Sequence, residues 1–256
     1  MSKVIVITGA SAGIGAELAR QLAARGDYLM LAARSTETLR QVARSCGRDT
    51  FYYVTDVTRR QDVNRLRDEA IRTFDHVDVW INNAGQGIER RVLELTDEDF
   101  DTIMSVNVKS ALYGMQAILP HFQERGEGHL INVSSFLGRV PLASQRSVYS
   151  AAKAALNSLT ANLRMDLRAE YPRIHVSVVM PGAVSTDFAQ RALHAPEGAR
   201  AMGNAQTPAE VVAAMIDLID QPRPEIYTNP TVQVEAVKRY YADPAAFEAG
   251  LGERTV

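Results

Sequence analysis

The sequence predicts an α/β fold, in which a parallel sheet is covered by helices on both faces. Short β-branched or apolar runs alternate with longer amphipathic stretches along nearly the whole chain. Seven runs have strand length, at residues 4–8, 28–32, 51–54, 77–81, 129–133, 175–179 and 225–228. The stretches between them carry apolar residues at helical spacing, as in Leu156, Leu159, Leu163 and Leu167. Strands separated by helices are typical of βαβ crossovers, which produce a parallel sheet.

The length and composition favour one doubly wound domain over the whole of residues 1–256. The chain is 46% hydrophobic, which suffices for a large core, and no Pro/Gly/Ser-rich linker or low-complexity block interrupts it. We expect a cofactor half at 1–130, a catalytic and substrate half at 131–230, and a C-terminal extension at 231–256.

Charge and cysteine content exclude several classes of protein. The net charge is -2, from 28 basic and 30 acidic residues without a basic block, so neither nucleic acid nor a membrane is an expected partner. The one cysteine, Cys46, excludes an internal disulfide framework. No apolar run has the length of a signal sequence or a membrane span, so we expect a cytoplasmic protein. No metal site is expected, because the five histidines lack ligand spacing.

A glycine-rich turn follows the first predicted strand. It reads Gly9-Ala10-Ser11-Ala12-Gly13-Ile14-Gly15 and leads into a helical stretch at 16–25. Glycines let such a turn close and let a diphosphate approach the backbone, while the helix N-terminus supplies free N–H groups. The spacing lacks the Gly-Lys-Ser/Thr ending of a nucleoside-triphosphate loop, so a dinucleotide is favoured over ATP. The alternative is a glycine turn with a structural role only.

Tyr149 and Lys153 lie four residues apart in an Ala-rich run that favours a helix. One helical turn separates them, so both side chains point the same way. A lysine beside a phenol favours the phenolate, so we expect the pKa of Tyr149 to fall below its usual value near ~10. The alternative is a solvated tyrosine and lysine on one helix face.

Five motifs in order make the chain resemble the short-chain dehydrogenase/reductase family, from about residue 4 to residue 228. They are the turn from Thr8 to Gly15, Asn82-Asn83-Ala84-Gly85, Asn132-Val133-Ser134-Ser135, Tyr149 to Lys153, and Pro181 to Thr186. The resemblance implies a Rossmann-type sheet of seven parallel strands in the order 3-2-1-4-5-6-7. That strand number agrees with the seven runs counted above.

The resemblance also implies a catalytic set of four residues. Tyr149 would be the acid/base, Lys153 would lower its pKa and bind the nicotinamide ribose, and Ser135 would hold the substrate oxygen. Asn107 would position a water that relays protons to the lysine. Because the interval from Ser135 to Tyr149 is fourteen residues, one more than in many relatives, Ser134 is a second, weaker candidate for the residue that holds the substrate oxygen.

The cofactor set implied by the resemblance gathers residues from six segments. Thr186 would anchor the nicotinamide carboxamide, Asp56 would bind the adenine amino group, and residues 83–85 would line the ribose wall. Asn82 has an alternative role as a brace between strands. The whole set is Gly9, Ser11, Gly13, Ile14, Gly15, Arg34, Asp56, Val57, Asn83, Ala84, Gly85, Tyr149, Lys153, Pro181, Gly182, Val184 and Thr186.

The end of the second strand predicts which nicotinamide cofactor is bound. It reads Ala32-Ala33-Arg34-Ser35, so no carboxylate is present to accept the ribose hydroxyls. The guanidinium of Arg34 can pair with a 2′-phosphate through two hydrogen bonds. We therefore expect NADP(H) rather than NAD(H).

These observations predict an NADP(H)-dependent oxidoreductase that interconverts a carbonyl and an alcohol. The alternative is a non-catalytic nucleotide sensor or scaffold on the same fold. The irregular stretch 187–207 is a candidate substrate lid, and Phe136, Leu137 and Phe188 are candidate pocket walls. The resemblance implies a homodimer or homotetramer, built on the helices that hold Asn107 and Tyr149. Substrate identity and reaction direction stay open.

Overall fold

The computed structural model describes residues 2–199 and 204–252, and its centre is one seven-stranded sheet. Its strands are β1 Val4–Thr8, β2 Tyr28–Ala33, β3 Thr50–Val54, β4 Val79–Asn82, β5 Gly128–Val133, β6 Ile174–Met180 and β7 Glu225–Tyr227. Every neighbouring pair is parallel, and the order is 3-2-1-4-5-6-7. The predicted fold class and strand order are thus confirmed.

Helices connect the strands and cover both faces of the sheet. They are α1 Gly13–Ala24, α2 Thr36–Cys46, α3 Arg60–Phe74, α4 Asp97–Met104, α5 Ser110–Arg125, α6 Ser147–Leu167, α7 Pro208–Asp220, α8 Pro230–Ala242 and α9 Pro244–Gly252. Short 3-10 turns occupy Val92–Glu94 and Phe136–Gly138, and a π-helical segment, Ser105–Lys109, joins α4 to α5. None of the helices described is long and apolar enough to cross a bilayer.

Alternation along the strands divides the interior into two apolar layers. On β1, Ile5 and Ile7 face a layer formed with α1, α2 and α7, while Val4 and Val6 face the layer formed with α3, α5 and α6. Successive side chains of a strand point to opposite faces, so a strand buried on both sides is apolar throughout. This explains why the sequence shows continuous apolar runs.

A chain of buried amides joins the centre of the sheet to α6. The indole of Trp80 donates to Asn82 at 2.8 Å, Asn82 donates to the Asn132 oxygen at 2.9 Å, and Asn132 donates to Thr160 at 2.9 Å. Buried polar groups are costly unless they are paired, and here each amide has a partner. Asn82 therefore acts as the brace between β4 and β5.

The stretch 187–207 is irregular where the structure describes it, and residues 200–203, Gly203 included, lie outside the described ranges. Helix α7 begins at Pro208, and proline is favoured in the first turn of a helix. The Thr207 hydroxyl accepts from the Glu210 N–H, and the Glu210 carboxylate accepts from the Thr207 N–H. The predicted C-terminal extension forms α8 and α9, and its residues 253–256 are likewise outside the described ranges.

Candidate active site

The glycine turn lies at the carboxyl edge of the sheet, where the strand order reverses between β1 and β4. Gly9 and Gly13 have φ of 67° and 56°, values that L side chains rarely adopt. A β carbon on Gly15 would lie only 2.5 Å from both the Asn83 amide nitrogen and the Gly9 carbonyl oxygen. Glycine is thus required in this turn, which leads into the N-terminus of α1 and forms a cradle there; the N-terminus of a helix offers free N–H groups to an anion.

Segments from β4 and β6 close this cradle from two sides. The side-chain amide of Asn83 donates to the carbonyl oxygens of Thr8 at 2.9 Å and Gly9 at 3.2 Å, so it braces the turn. The methyl carbon of Thr186 lies 3.4 Å from the position of a β carbon on Gly13. The structure therefore places the predicted carboxamide anchor beside the predicted phosphate turn.

Arg34 follows β2 and Asp56 follows β3, so both lie at the same edge of the sheet as the glycine turn. Arg34 is exposed, and no described residue forms an ion pair or side-chain hydrogen bond with it. The Asp56 carboxylate accepts from the Thr58 N–H at 3.0 Å and hydroxyl at 2.7 Å. Partial burial raises the pKa of Asp56, but the Thr58 hydrogen bonds and the charges of Arg34 and Arg59 outweigh it and lower the pKa overall. The Arg34 guanidinium is thus free for an anion.

The remaining predicted cofactor residues lie along the same edge. Ser11 and Ile14 belong to the glycine turn, Val57 follows β3, Ala84 follows β4, and Pro181, Gly182 and Val184 follow β6. The Cα of Ala84 lies 2.8 Å from the position of a β carbon on Gly9, so the turn and the loop after β4 touch through their backbones.

Asn107 lies in the π-helical segment, which the sequence did not reveal. Its amide nitrogen donates to the carbonyl oxygens of Gln86 at 2.9 Å and Ile103 at 3.0 Å, and its oxygen accepts from the Gln86 N–H at 3.3 Å. In this widened turn the side chain bonds the loop at Gln86 as well as the preceding helical turn at Ile103, and π segments of this kind are frequent at functional sites. A β carbon on Gly85 would meet the Asn107 oxygen at 3.0 Å and Lys153 Nζ at 3.5 Å.

Tyr149 and Ser135 meet at the start of α6, and both are buried. The Ser135 side chain interacts with the phenol and favours the phenolate form of Tyr149, and its hydroxyl oxygen also accepts from the Leu137 N–H at 3.2 Å. The Ser134 hydroxyl instead donates to the backbone oxygen of Lys153 at 3.1 Å. The geometry therefore puts Ser135, rather than Ser134, beside the phenol.

Lys153 lies one turn along α6, with Nζ 5.6 Å from the centre of the Tyr149 ring. The ammonium donates to the Val133 carbonyl oxygen at 2.9 Å, and the side chain is 3% exposed. A β carbon on Gly138 would lie 2.7 Å from the Lys153 carbonyl carbon, so this glycine lets the loop after β5 pack against α6 at that point.

The expected fall in the pKa of Tyr149 is wrong for this structure. Burial raises the pKa of Tyr149 to about 12, and the Ser135 hydrogen bond and the Arg146 charge oppose it only in part. Burial also lowers the pKa of Lys153 to about 7. A low dielectric disfavours both charged forms, and this cost outweighs the attraction that was expected between ammonium and phenolate.

The candidate lid packs against Tyr149. The Phe188 ring centre is 5.7 Å from that of Tyr149, so this predicted pocket wall does face the site. Leu193 exchanges backbone hydrogen bonds with Gly87 and Glu89, and the Gln86 side chain donates to the Arg191 oxygen. Phe136, in contrast, packs on Tyr227 at 6.1 Å between ring centres.

One charged pair at the site was missed by sequence reasoning. Arg146, three residues before Tyr149, forms an ion pair with Glu89 at 2.6 Å, and both side chains are less than one-fifth exposed. The guanidinium also donates to the Ile88 oxygen at 3.3 Å. The position of Arg146 one turn before Tyr149 was visible in the sequence, but its partner is 57 residues away.

Comparison with known proteins shows the family to which the chain belongs. A family described as short chain dehydrogenase matches residues 3–197. The chain is 37% identical over 194 residues to the uncharacterized oxidoreductase YxnA of Bacillus subtilis (strain 168). That match covers 74% of this chain and 54% of YxnA, so the chain spans about half the length of this relative.

Two solved structures share the fold over most of their length. A short chain dehydrogenase/reductase from Burkholderia phymatum in complex with NAD has a TM-score of 0.86 and 26% identity, covering 95% of this chain and 94% of that one. An alcohol dehydrogenase from the archaeon Thermococcus sibiricus, complexed with 5-hydroxy-NADP, has a TM-score of 0.77 and 29% identity, covering 89% and 96%. With the family match over most of its length, the chain belongs to the short chain dehydrogenase family of oxidoreductases.

Proposed function

We propose that this protein is an NADP(H)-dependent oxidoreductase that interconverts a carbonyl and an alcohol, with Tyr149 as the acid/base. The observation that carries the proposal is the convergence of Ser135, Tyr149 and Lys153 beside the Asn107 amide, on the edge of the sheet that also holds the glycine turn. A nucleotide sensor needs the turn but has no use for a buried proton donor with an orienting hydroxyl.

The raised pKa of Tyr149 favours reduction of the carbonyl. A phenol with a pKa of about 12 stays protonated at neutral pH, so it can donate its proton to a carbonyl oxygen. The Ser135 hydroxyl, which lies beside the phenol, would donate to the same oxygen and stabilise its developing charge. Lys153, when protonated, would stabilise the phenolate that remains, since its Nζ lies 5.6 Å from the ring centre.

The residues present fit a nicotinamide dinucleotide. The cradle at Gly9, Gly13 and Gly15 would accept the diphosphate, and Thr186 beside Gly13 would hold the carboxamide. The unpaired Arg34 supports NADP(H), because a guanidinium pairs with a 2′-phosphate and the end of β2 offers no carboxylate for a ribose. The bound nicotinamide would supply or accept the hydride, while the residues of this chain would position the cofactor and the substrate and transfer the proton.

Replacement of Tyr149 by phenylalanine tests the proposal. A panel of carbonyls and alcohols, followed by NADPH absorbance, should find turnover with the unaltered protein. Tyr149→Phe should abolish that turnover while NADPH still binds, because the ring is kept and only the proton donor is lost. Turnover that survives in Tyr149→Phe would refute the role of the tyrosine, and binding without turnover in the unaltered protein would favour the sensor.

A homo-oligomer belongs to the same proposal. Phe100 on α4, the helix before Asn107, and Met165 on α6, the helix that carries Tyr149, are 48% and 62% exposed, so each helix presents apolar surface. Burial of this surface between copies would form a bundle of helices. Analytical ultracentrifugation should show a dimer or tetramer, and Met165→Glu should shift it toward the monomer.

A further inference from the structure

The ion pair between Arg146 and Glu89 borders the proposed site without belonging to the catalytic set. Arg146 is the residue before the first turn of α6, and Glu89 lies in the extended segment after β4. The two segments are joined by the Arg90 N–H, which donates to the Gln145 oxygen at 2.7 Å, and by the Ser147 hydroxyl, which donates to the Arg90 oxygen at 2.6 Å. Their relative position is therefore fixed by hydrogen bonds.

Packing brings the guanidinium close to the lid and the phenol. A β carbon on Gly87 would lie 3.1 Å from an Arg146 terminal nitrogen and 3.0 Å from Phe188, whose ring packs on Tyr149. Arg146, the residue just before α6, also precedes Tyr149 by three residues, the spacing of neighbours on one helix face. The cation is held within the same small group of side chains as the acid/base.

We propose that Arg146 is a positioning residue that stabilises the phenolate of Tyr149, and that Glu89 holds the guanidinium and partly offsets its charge. The inference rests on the proposed role of Tyr149 and deepens it. Water screens a partly buried charge less than an exposed one, so a cation whose charge Glu89 offsets only in part still acts on a neighbouring side chain. The positive charge of Arg146 accordingly stabilises the charged form of Tyr149.

No other charged group of the described residues competes for this role except Lys153. On α6, Tyr149 is faced by Lys153 and Arg146, and the loop after β5 contributes the neutral Ser135. The apolar side chains around the ring come from the loop after β4, the α4 region and the lid, namely Ile88, Ile103, Val108 and Phe188. Glu89 is the carboxylate that holds Arg146.

Two substitutions with opposite charge effects test the proposal. In Arg146→Gln the phenolate loses a cation, and in Glu89→Gln the cation loses its counter-ion. Phenolate is measured by ultraviolet absorbance at one alkaline pH, as the difference between each variant and the same variant carrying Tyr149→Phe. We expect about three- to tenfold less phenolate in Arg146→Gln and a similar gain in Glu89→Gln, equal to shifts of about 0.5 to 1 pH unit.

Matched variants separate an electrostatic effect from general loosening. Arg146→Lys keeps the charge and should restore most of the phenolate. Arg25→Gln breaks an ion pair with Asp27, between α1 and β2, and should leave the amount of Tyr149 phenolate unchanged. Circular dichroism at the same pH checks that each variant is folded. The proposal would be overturned if Arg146→Gln and Glu89→Gln had the same amount of phenolate as the unaltered protein, or if both substitutions changed that amount in the same direction.

The pH profile of alcohol oxidation gives a second, independent readout. With an alcohol that supports turnover, the rise of kcat/KM with pH should move to higher pH in Arg146→Gln and to lower pH in Glu89→Gln. If Tyr149→Phe kept full turnover, the proposed function would fail, yet the phenolate measurement would still decide the effect of Arg146. The two failures are therefore distinguishable.

Discussion

The side-chain amide of Asn83 donates hydrogen bonds to the backbone of the glycine turn, at Thr8 and at Gly9. The loop after β4 thereby holds the turn after β1 in shape, across the point where the strand order reverses. Asn83 was expected to line the ribose wall, and the structure shows that it braces the glycine turn. The carbonyl oxygens of Thr8 and Gly9 thereby each have a donor within the protein.

Replacing Asn83 by aspartate should weaken NADPH binding by about tenfold or more. The carboxylate has almost the same shape but cannot donate, so two hydrogen bonds are lost and a negative charge faces two carbonyl oxygens. Fluorescence titration with NADPH measures the affinity. Asn162→Asp is the control, because that amide donates to the Ser158 oxygen on an exposed helix face, and it should bind NADPH normally. Equal affinity in both variants would contradict the bracing role.

Gly15→Ala should disrupt the cradle itself. The added methyl would lie 2.5 Å from the Asn83 nitrogen and the Gly9 oxygen, closer than any real contact, so the turn must open. We expect a loss of NADPH affinity of about tenfold or more and a lower melting temperature. Gly250→Ala, in α9 with no atom within 4 Å of the new methyl, should change neither. Unchanged binding in Gly15→Ala would show that the turn does not hold the diphosphate.

The layered architecture could be predicted from the sequence because its cause is local. Ile5 and Ile7 alternate with Val4 and Val6, so the pattern of β1 alone indicates a strand buried on both faces. The beginning of α7 at Pro208 is written in its capping residues. The order of the strands was predicted from the resemblance to a family, because the sequence of a single strand does not indicate which strands pair with it.

The parts of the site that escaped prediction depend on contacts between distant segments. The π segment around Asn107 forms because its amide bonds the loop at Gln86, twenty-one residues away. The partner of Arg146 is on a different loop. The pKa of Tyr149 was predicted in the wrong direction because spacing along a helix reveals a nearby lysine but not the depth of burial.

Arg34→Asp should shift the cofactor preference toward NADH. The substitution removes the cation available to a 2′-phosphate and supplies a carboxylate that can accept ribose hydroxyls. The ratio of kcat/KM with NADPH to that with NADH should fall by about tenfold to a hundredfold. Arg59→Asp is the control, since Arg59 lies 3.7 Å from Asp56 and is also exposed, and it should leave the ratio nearly unchanged. Equal or better use of NADH by the unaltered protein would contradict the NADP(H) assignment.

His129 should make the protein sensitive to acid. Burial, with smaller effects of His175 and Lys3, lowers the pKa of His129 to about 3. The pKa in the unfolded chain is about 6.5, so below that pH the unfolded state binds more protons and stability falls as the pH drops toward 3. The slope from this group approaches about 1.4 kcal/mol per pH unit. Urea unfolding at several pH values between pH 7 and pH 4 (about one unit above the folded pKa) measures the free energy of unfolding. It should decline less steeply with falling pH in His129→Leu than in the unaltered protein, and equal slopes would contradict this role of His129.

The adjacent serines should differ sharply in their effect on catalysis. Ser135 lies beside Tyr149, so under the proposed function Ser135→Ala would remove a donor from the position where charge would develop on the substrate oxygen. A donor of this kind is worth about a hundredfold to a thousandfold in kcat. Ser134→Ala loses only the bond to the Lys153 backbone oxygen, which should cost about 1 kcal/mol of stability and leave kcat within a few fold.

Measurement of kcat and of urea unfolding for both variants separates the two roles. The fourteen-residue interval before Tyr149 left Ser134 as a candidate; the structure places Ser135 beside the phenol, whereas the Ser134 hydroxyl donates to the Lys153 backbone oxygen. If Ser134→Ala had the larger effect on kcat, the serine next to the reacting oxygen would be Ser134. The loop after β5 would then have to turn by one residue when substrate binds, which the bond from the Phe136 N–H to the Pro181 oxygen at 2.8 Å opposes.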